Sequence, residues 1–310
     1  MLREILAEKS GMSPARIERL QLNASRMYKT YSIPKKDGSD RVISQPTPEL
    51  KAVQRWLARG IFQQLPVSAC ATAYKAGASI RKNAEAHVAS AFTIHLDFKD
   101  FFPSFSRDNI RSFLSEATRL SHDDISFCSD VVTRNGHLTI GAPSSPSVTN
   151  ALMFSFDAAV SEWCARRDLA YTRYADDINI SAKSSNSLSE VEVFVRETAR
   201  SFRYASLTIN DKKTAYLSRK YRRSITGINL TPEGRISIGR GRKREIKSLV
   251  HSYTIGTLQA DLFWKLGGLI AFASDVEPAF VDSLKSKYGA RVVEEILHQR
   301  TPRGLKEAIK

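Results

Sequence analysis

The sequence predicts an α+β fold, and three features predict it. Short apolar strands alternate with amphipathic helices through most of the chain, the pattern turns wholly helical from about Lys243, and no internal repeat or low-complexity linker interrupts it. A strand-and-helix body followed by a C-terminal helical bundle is expected, with the boundary near residue 240.

In chain order, Ser13-Pro14 reads as the N-cap and first residue of a helix carrying Ile17 and Leu20. The stretch YSIPKKDGSDRVISQP reads as a hairpin, two short strands around Asp37-Gly38. Leu50, Val53, Trp56 and Leu57 then follow helical spacing, and AFTIHLDF is a strand. Ser106 caps a helix with Ile110, Phe113, Leu114 and Ala117 on one face. A Gly-Pro-rich turn, IGAPSSP, leads into a helix capped by Ser145, whose apolar face uses Val148, Leu152, Phe156 and Trp163. YTRYADDINIS forms a tight hairpin with Asp176-Asp177 at its tip, followed by a helix and by strands around LTIN and ITGINLT. In the tail, Leu258, Leu262, Leu266, Leu269 and Ile270 mark one helix, and Val281, Leu284, Tyr288 and Val292 another.

The charge balance points outward. Against 32 Asp+Glu stand 47 Lys+Arg, a net +15 over 310 residues. Such an excess fits a polyanionic partner, because each phosphate neutralised releases a condensed counterion. Composition alone leaves nucleic acid, an anionic membrane surface and simple solvation open. No run of about 18 apolar residues is present to span a membrane, and the charged start MLREILAEKS has no signal-peptide apolar region. Cys70, Cys128 and Cys164 lack metal-ligand spacing and read as reduced thiols of a cytoplasmic protein.

The carboxylates carry the chemistry. Asp97 ends an apolar strand, and Asp176 and Asp177 cap the later hairpin. An Asp-Asp pair can be an ordinary polar turn. If the strands are neighbours in one sheet, however, three acids converge, and like charges so close either shift a pKa or share a cation. Two Mg²⁺ ions about 3.5–4 Å apart use such a cluster to clamp the attacking and leaving oxygens of a phosphoryl transfer.

In order along the chain, LDFKDFFPSF, GAPSSPSVTNALM and YADD resemble motifs A, B and C of reverse transcriptases. The resemblance covers most of the chain and implies a right-hand polymerase fold. Its fingers would take 1–92 with part of 103–150, its palm mainly 93–238, and its helical thumb 239–310. It further implies that Asp97, Asp176 and Asp177 bind two Mg²⁺ and that Phe102 is a steric gate against ribonucleotides, while core packing remains the other reading of Phe102. Lys35, Lys36 and Arg41 would grip the triphosphate of a deoxynucleotide, although a basic hairpin tip is also commonly just solvated. Lys213 of NDKKT, rather than Lys212, would protonate the departing pyrophosphate. Gly141 would lie beneath the nascent pair. The preceding position departs from the family pattern, holding Ile140 where the family usually has Gln.

NAEAH, Asn83 to His87, and ITG, Ile225 to Gly227, resemble motifs of bacterial retron enzymes. Asn83 and His87, at i and i+4, could equally satisfy each other on a helix. With Thr226 and Gly227, they would bind RNA or primer by this resemblance. The basic runs around them, with Arg222, Arg223, Arg240 and Lys243, would hold phosphates, the alternative being a solvated charged face. The retron resemblance implies a dedicated structured non-coding RNA (msr-msd), copied into branched DNA (msDNA) from a 2′-hydroxyl. It also implies an effector protein, antiphage defence and no membrane. Other bacterial reverse transcriptases, of intron, diversity-generating or abortive-infection type, and a non-catalytic RNA-binding scaffold remain alternatives.

Overall fold

Two hydrophobic cores organise the chain, one in each of two compact units. The computed structural model describes residues 1–35, 38–221 and 223–298. The first unit comprises Met1–Ala78 and Phe92–Tyr216; the second comprises Ser79–Ala91 and Leu217–Lys310.

The first unit opens with two helices, Leu2–Ser10 and Pro14–Asn23, the latter capped by Ser13, whose hydroxyl accepts from the Arg16 N–H. The expected hairpin follows as β1 (Tyr28–Pro34) and β2 (Asp40–Pro46), antiparallel from Tyr28↔Pro46 to Pro34↔Asp40. Lys36 and Asp37, in its connection, lie outside the described residues.

The sheet that positions the site contains β3 (Phe92–Asp97), β4 (Ala170–Tyr174) and β5 (Asp177–Ala182), with β5 between the other two and antiparallel to both. Directly opposed residues in such a ladder share a face. Ile94↔Ile180, Leu96↔Ile178, Tyr171↔Ile180 and Arg173↔Ile178 therefore lie on one face, which joins the core. Thr93↔Ser181, His95↔Asn179, Asp97↔Asp177 and Tyr174↔Asp177 lie on the other. Polar alternation thus delivers the acids to one face while the apolar residues anchor the strands.

Helices Pro48–Gly60 and Arg107–Ala117 bury the apolar positions expected of them, except that Trp56 is half-buried and Ala117, in the last turn, is exposed. The helix expected from Ser145 is two, Ser145–Leu152 and Phe154–Ala165, meeting at Met153, and Ser144 rather than Ser145 holds the N-cap position. Val148, Leu152, Phe156 and Trp163 are all buried. Cys128 and Cys164 are buried, and burial pushes both thiols up to about 12; Cys70 is half-buried.

The chain leaves the first unit within β6 (Ala215–Ser218). In the second unit β7 (Arg223–Ile225), β8 (Ile228–Leu230) and β9 (Ile236–Ser237) form an antiparallel sheet, accompanied by the short helix Ile80–Glu85. Helices Arg240–Thr254, Ala260–Val276, Pro278–Tyr288 and Ala290–Leu297 complete it. The two tail helices expected from periodicity differ at their ends. Leu258 precedes its helix, and Val292 belongs to the next one, because Gly289 (φ 95°) ends the run. Among the described residues, no helix is long and apolar enough to cross a membrane.

Candidate active site

Tyr174↔Asp177 is the last pair of the β4–β5 ladder, so Ala175 and Asp176 alone make the turn. Ala175 sits at φ 58°, a region where a Cβ is crowded and which costs a non-glycine residue about 1–3 kcal/mol. The turn brings Asp176 beside the end of β3, where the Phe98 N–H donates to the Asp176 carbonyl at 3.1 Å. Asp97 and Asp177 are direct cross-strand partners. Three carboxylates from two strand ends therefore converge.

Their electrostatics follow from that crowding. Burial first, then the charges of Asp176 and Asp97, push the Asp177 carboxyl up to about 7. Asp176 is raised as well, by burial and then by Asp97, with Lys213 and Arg41 opposing. Lys213 Nζ donates to both oxygens of Asp97, at 2.9 and 2.8 Å. Burial works to lower the Lys213 pKa, but the hydrogen bond to Asp97 and the charge of the three acids outweigh it and raise it.

The placement of Lys213 explains why LTIN is not the strand its composition predicts. The Asn210 N–H donates to the Asp97 carbonyl and the Lys99 N–H to the Thr208 carbonyl, both at 2.8 Å, around one isolated Phe98–Ile209 bridge. The chain then tightens into the helical turn Asp211–Lys213, which carries Lys213 back onto Asp97.

This donor set is all carboxylate, the chemistry a hard cation such as Mg²⁺ prefers. Among the described residues no group of three His, Cys, Asp or Glu side chains is arranged so as to hold a metal ion. Instead the Lys213 ammonium answers the Asp97 carboxylate, a cation standing where negative charge is densest. By donor chemistry alone, the carboxylates of Asp97, Asp176 and Asp177 are of the kind a divalent ion takes.

The other expected residues are distributed as follows. Arg41 is exposed, yet its charge reaches Asp176 and Tyr74. Lys35 is exposed, with its backbone N–H donating to the Ser39 carbonyl at 2.6 Å. Phe101 is buried in the core, and Phe102 is half-buried against it, ring centroids 5.5 Å apart. Gly141 has φ 109°, and a Cβ there would meet the Ser44 carbonyl oxygen at 2.7 Å. The glycine is thus demanded by β2, whose Ser44 N–H donates to the Ile140 carbonyl at 2.8 Å.

The remaining expected residues lie in the second unit. Thr226 (φ 45°) and Gly227 (φ 81°) form the two-residue β7–β8 turn, and Asn83 Nδ2 donates to Thr226 Oγ1 at 3.3 Å. NAEAH and ITG therefore dock on each other. Asn83, His87 and Arg223, expected at the nucleic acid, are buried in this structure. Burial, then the nearby Arg223, lowers the His87 pKa to about 3, so the ring is neutral. Burial, then Arg219, lowers the Arg223 pKa. Lys243 is held by Glu277, whereas Arg240 is exposed. Arg222 lies outside the described residues.

Two site neighbours escape a reading by motif. Tyr74, at φ 60° and 46% exposed, has its pKa raised by burial and then by Asp176. His95 Nδ1 pairs with Asn179 Oδ1 at 3.1 Å, while its Nε2 stands 3.6 Å from Asp177. For His95 the period-2 spacing from Asp97 was a usable signal; for Tyr74 there was none, since its approach is long-range.

A family model described as reverse transcriptase (RNA-dependent DNA polymerase) matches residues 33–247. The chain is 35% identical over 278 residues to the retron Ec83 reverse transcriptase of Escherichia coli, an alignment covering 87% of this chain and 89% of that one. It is 29% identical over 289 residues to the retron Ec86 reverse transcriptase of Escherichia coli, covering 88% and 87% respectively. Among solved structures, a telomerase from Candida albicans in complex with a fragment of telomeric RNA matches at TM-score 0.50 and 12% identity. That match covers 90% of this chain but only 59% of the telomerase, and it is a likeness of fold alone.

Proposed function

The chain belongs to the retron reverse transcriptases, which are RNA-directed DNA polymerases, and on that premise we propose that it copies part of a dedicated structured RNA into branched single-stranded DNA primed from an RNA 2′-hydroxyl. Its fold is the α+β right hand of that family. The observation that carries the reading is the meeting of Asp97, Asp176 and Asp177, with Lys213 on Asp97.

Asp97, Asp176 and Asp177 would hold the divalent ions of the reaction, two Mg²⁺. When bound, such ions supply Lewis-acid stabilisation of the attacking and leaving oxygens. Lys213 stands within reach of the same centre as a proton donor for the departing pyrophosphate. Arg41, and with it Lys35, would bind triphosphate oxygens, a task suited to a forked guanidinium. Phe102 would lie under the sugar and leave no room for a 2′-hydroxyl, and Gly141 would keep the floor of the nucleotide site flat. Arg240, Lys243 and Arg222 would follow the backbone of the RNA–DNA duplex, while Asn83, His87, Arg223, Thr226 and Gly227 shape the turn that meets it. The division into fingers (1–92 and part of 103–150), palm (93–238) and thumb (239–310) belongs to the same proposal. So do a cytoplasmic setting, an effector protein and a role against phage.

The test is DNA synthesis by the protein purified with its own nucleic acid, supplied with Mg²⁺ and deoxynucleotides, against Asp176→Asn. DNA product from the wild type alone is expected, with a mobility shift after RNase where the DNA is branched from RNA. Equal product from both proteins would remove the assignment of the acids. Phe102→Ala should raise ribonucleotide incorporation.

A further inference from the structure

The strained turn that presents Asp176 is held from behind by an ion pair no motif announces. Arg173 lies on β4 two residues before Ala175, on the sheet face opposite Asp177, and is 0% exposed. Its fork grips Asp157 of helix Phe154–Ala165: Nε donates to Oδ1 at 2.8 Å and Nη2 to Oδ2 at 2.7 Å. The Tyr171 hydroxyl donates to the same Oδ1 at 2.6 Å, and Asn150 Oδ1 accepts from Arg173 Nη2 at 3.4 Å. The remaining nitrogen, Nη1, donates to the Ala175 carbonyl at 3.0 Å. That carbonyl belongs to the peptide plane joining Ala175, at φ 58°, to Asp176.

The backbone of Arg173 is pinned as well. Its N–H donates to the Cys70 carbonyl at 2.9 Å, and its carbonyl accepts from the Thr72 N–H at 2.8 Å. The guanidinium therefore hangs from a fixed strand, is aimed by a fixed carboxylate, and closes on one carbonyl of the turn. An ion pair out of water needs all its hydrogen bonds to offset desolvation, and here one of them is given to the residue before Asp176.

We propose that Arg173, aimed by Asp157, is a positioning residue for the metal-binding carboxylates: it clamps the Ala175–Asp176 peptide so that Asp176 faces Asp97 and Asp177. The inference rests on the assignment of Asp176 to the reacting centre. Arg173 touches no substrate and acts only through the backbone.

The experiment compares full-length wild type, Arg173→Lys and Arg173→Lys/Ala175→Gly. Three quantities are measured: Mn²⁺ affinity by electron paramagnetic resonance without nucleotide, kcat and KM on an oligo(dT)-primed poly(rA) template, and Tm. Lysine keeps the charge opposite Asp157 but has one nitrogen where arginine has three, so none is left for the Ala175 carbonyl; Mn²⁺ affinity and kcat should each fall about tenfold, as when a group supporting a metal ligand is lost, with the primer KM unchanged. Glycine takes the turn conformation without strain, so adding Ala175→Gly should restore both while Tm stays at the Arg173→Lys value. The double variant Arg173→Met/Asp157→Leu leaves no unmatched charge buried and should show the same two losses, with its Tm reporting whether it is folded. Wild-type Mn²⁺ affinity and kcat in either clamp-free protein would overturn the proposal, as would a loss that Ala175→Gly does not relieve. Asp176→Asn separates the two levels: if it keeps activity and Mn²⁺ binding, the assignment of the reacting centre fails, whereas an inactive Asp176→Asn beside wild-type-like Arg173 variants sinks the clamp alone.

Discussion

Two hairpin turns, one in each unit, use the same device for different ends. The β4–β5 turn and the β7–β8 turn each span two residues and each holds a non-glycine residue at positive φ, Ala175 at 58° and Thr226 at 45°. Each is braced by a buried polar side chain from outside the turn, Arg173 onto the Ala175 carbonyl and Asn83 onto Thr226 Oγ1. The second turn ends in Gly227, which takes its φ of 81° freely, and carries no charge. The first continues into two acids whose pKa values are raised by burial and by Asp97, that of Asp177 also by Asp176. A neutral turn needs one neutral brace. A turn that crowds like charges is backed by a bidentate ion pair, and the arginines beside the two turns differ accordingly. Asp157 raises the pKa of Arg173 against the pull of burial, whereas burial and Arg219 lower that of Arg223.

The comparison can be broken or sharpened at four points. Asp176→Asn removes charge from the first turn while leaving its backbone, and DNA synthesis should fall about a thousandfold, the several kcal/mol expected of a metal-held transition state; a smaller loss in single-turnover assays would make the two turns alike. Asp157→Ala strands a buried guanidinium and should destabilise the first unit by about 3–5 kcal/mol in denaturant melts. In the second unit the relevant group is neutral His87, with a folded pKa of about 3 below an unfolded value near 6.5. Because the unfolded chain takes up the proton first, stability is full above pH 6.5 and is lost as pH falls, by about 2 kcal/mol at pH 5. Urea titrations of wild type against His87→Gln should show that slope only in the wild type. Asn83→Ala removes the neutral brace and should cost about 1–2 kcal/mol, visible as a lower Tm. A cost equal to that of Asp157→Ala would erase the distinction between the braces.

Local pattern made much of this legible. The alternation of FTIHLD and DINISA, with polar residues at every second position, is enough to place Asp97 and Asp177 on one face once the strands pair. Ser13 and Ser106 announced their helices because capping is settled within one turn. The readings that failed depended on partners far away in sequence. LTIN has strand composition but yields to the turn that brings Lys213 to Asp97. Arg223 sits in a basic run that looks solvated, yet it is buried. Gly141 is required by β2, about a hundred residues upstream, through a contact no spacing encodes.

By itself, then, the sequence determined most of the elements, the sheet face that carries the acids, and the family to which the chain belongs, because each is written in short-range periodicity or in contiguous motifs. Only the tertiary structure decided which cation meets Asp97, which side chains brace the two turns, and which basic residues face solvent. Those outcomes turn on desolvation and on hydrogen bonds between residues as far apart as Asn83 and Thr226 or Lys213 and Asp97, where the stabilisation comes from burial that no local stretch can report.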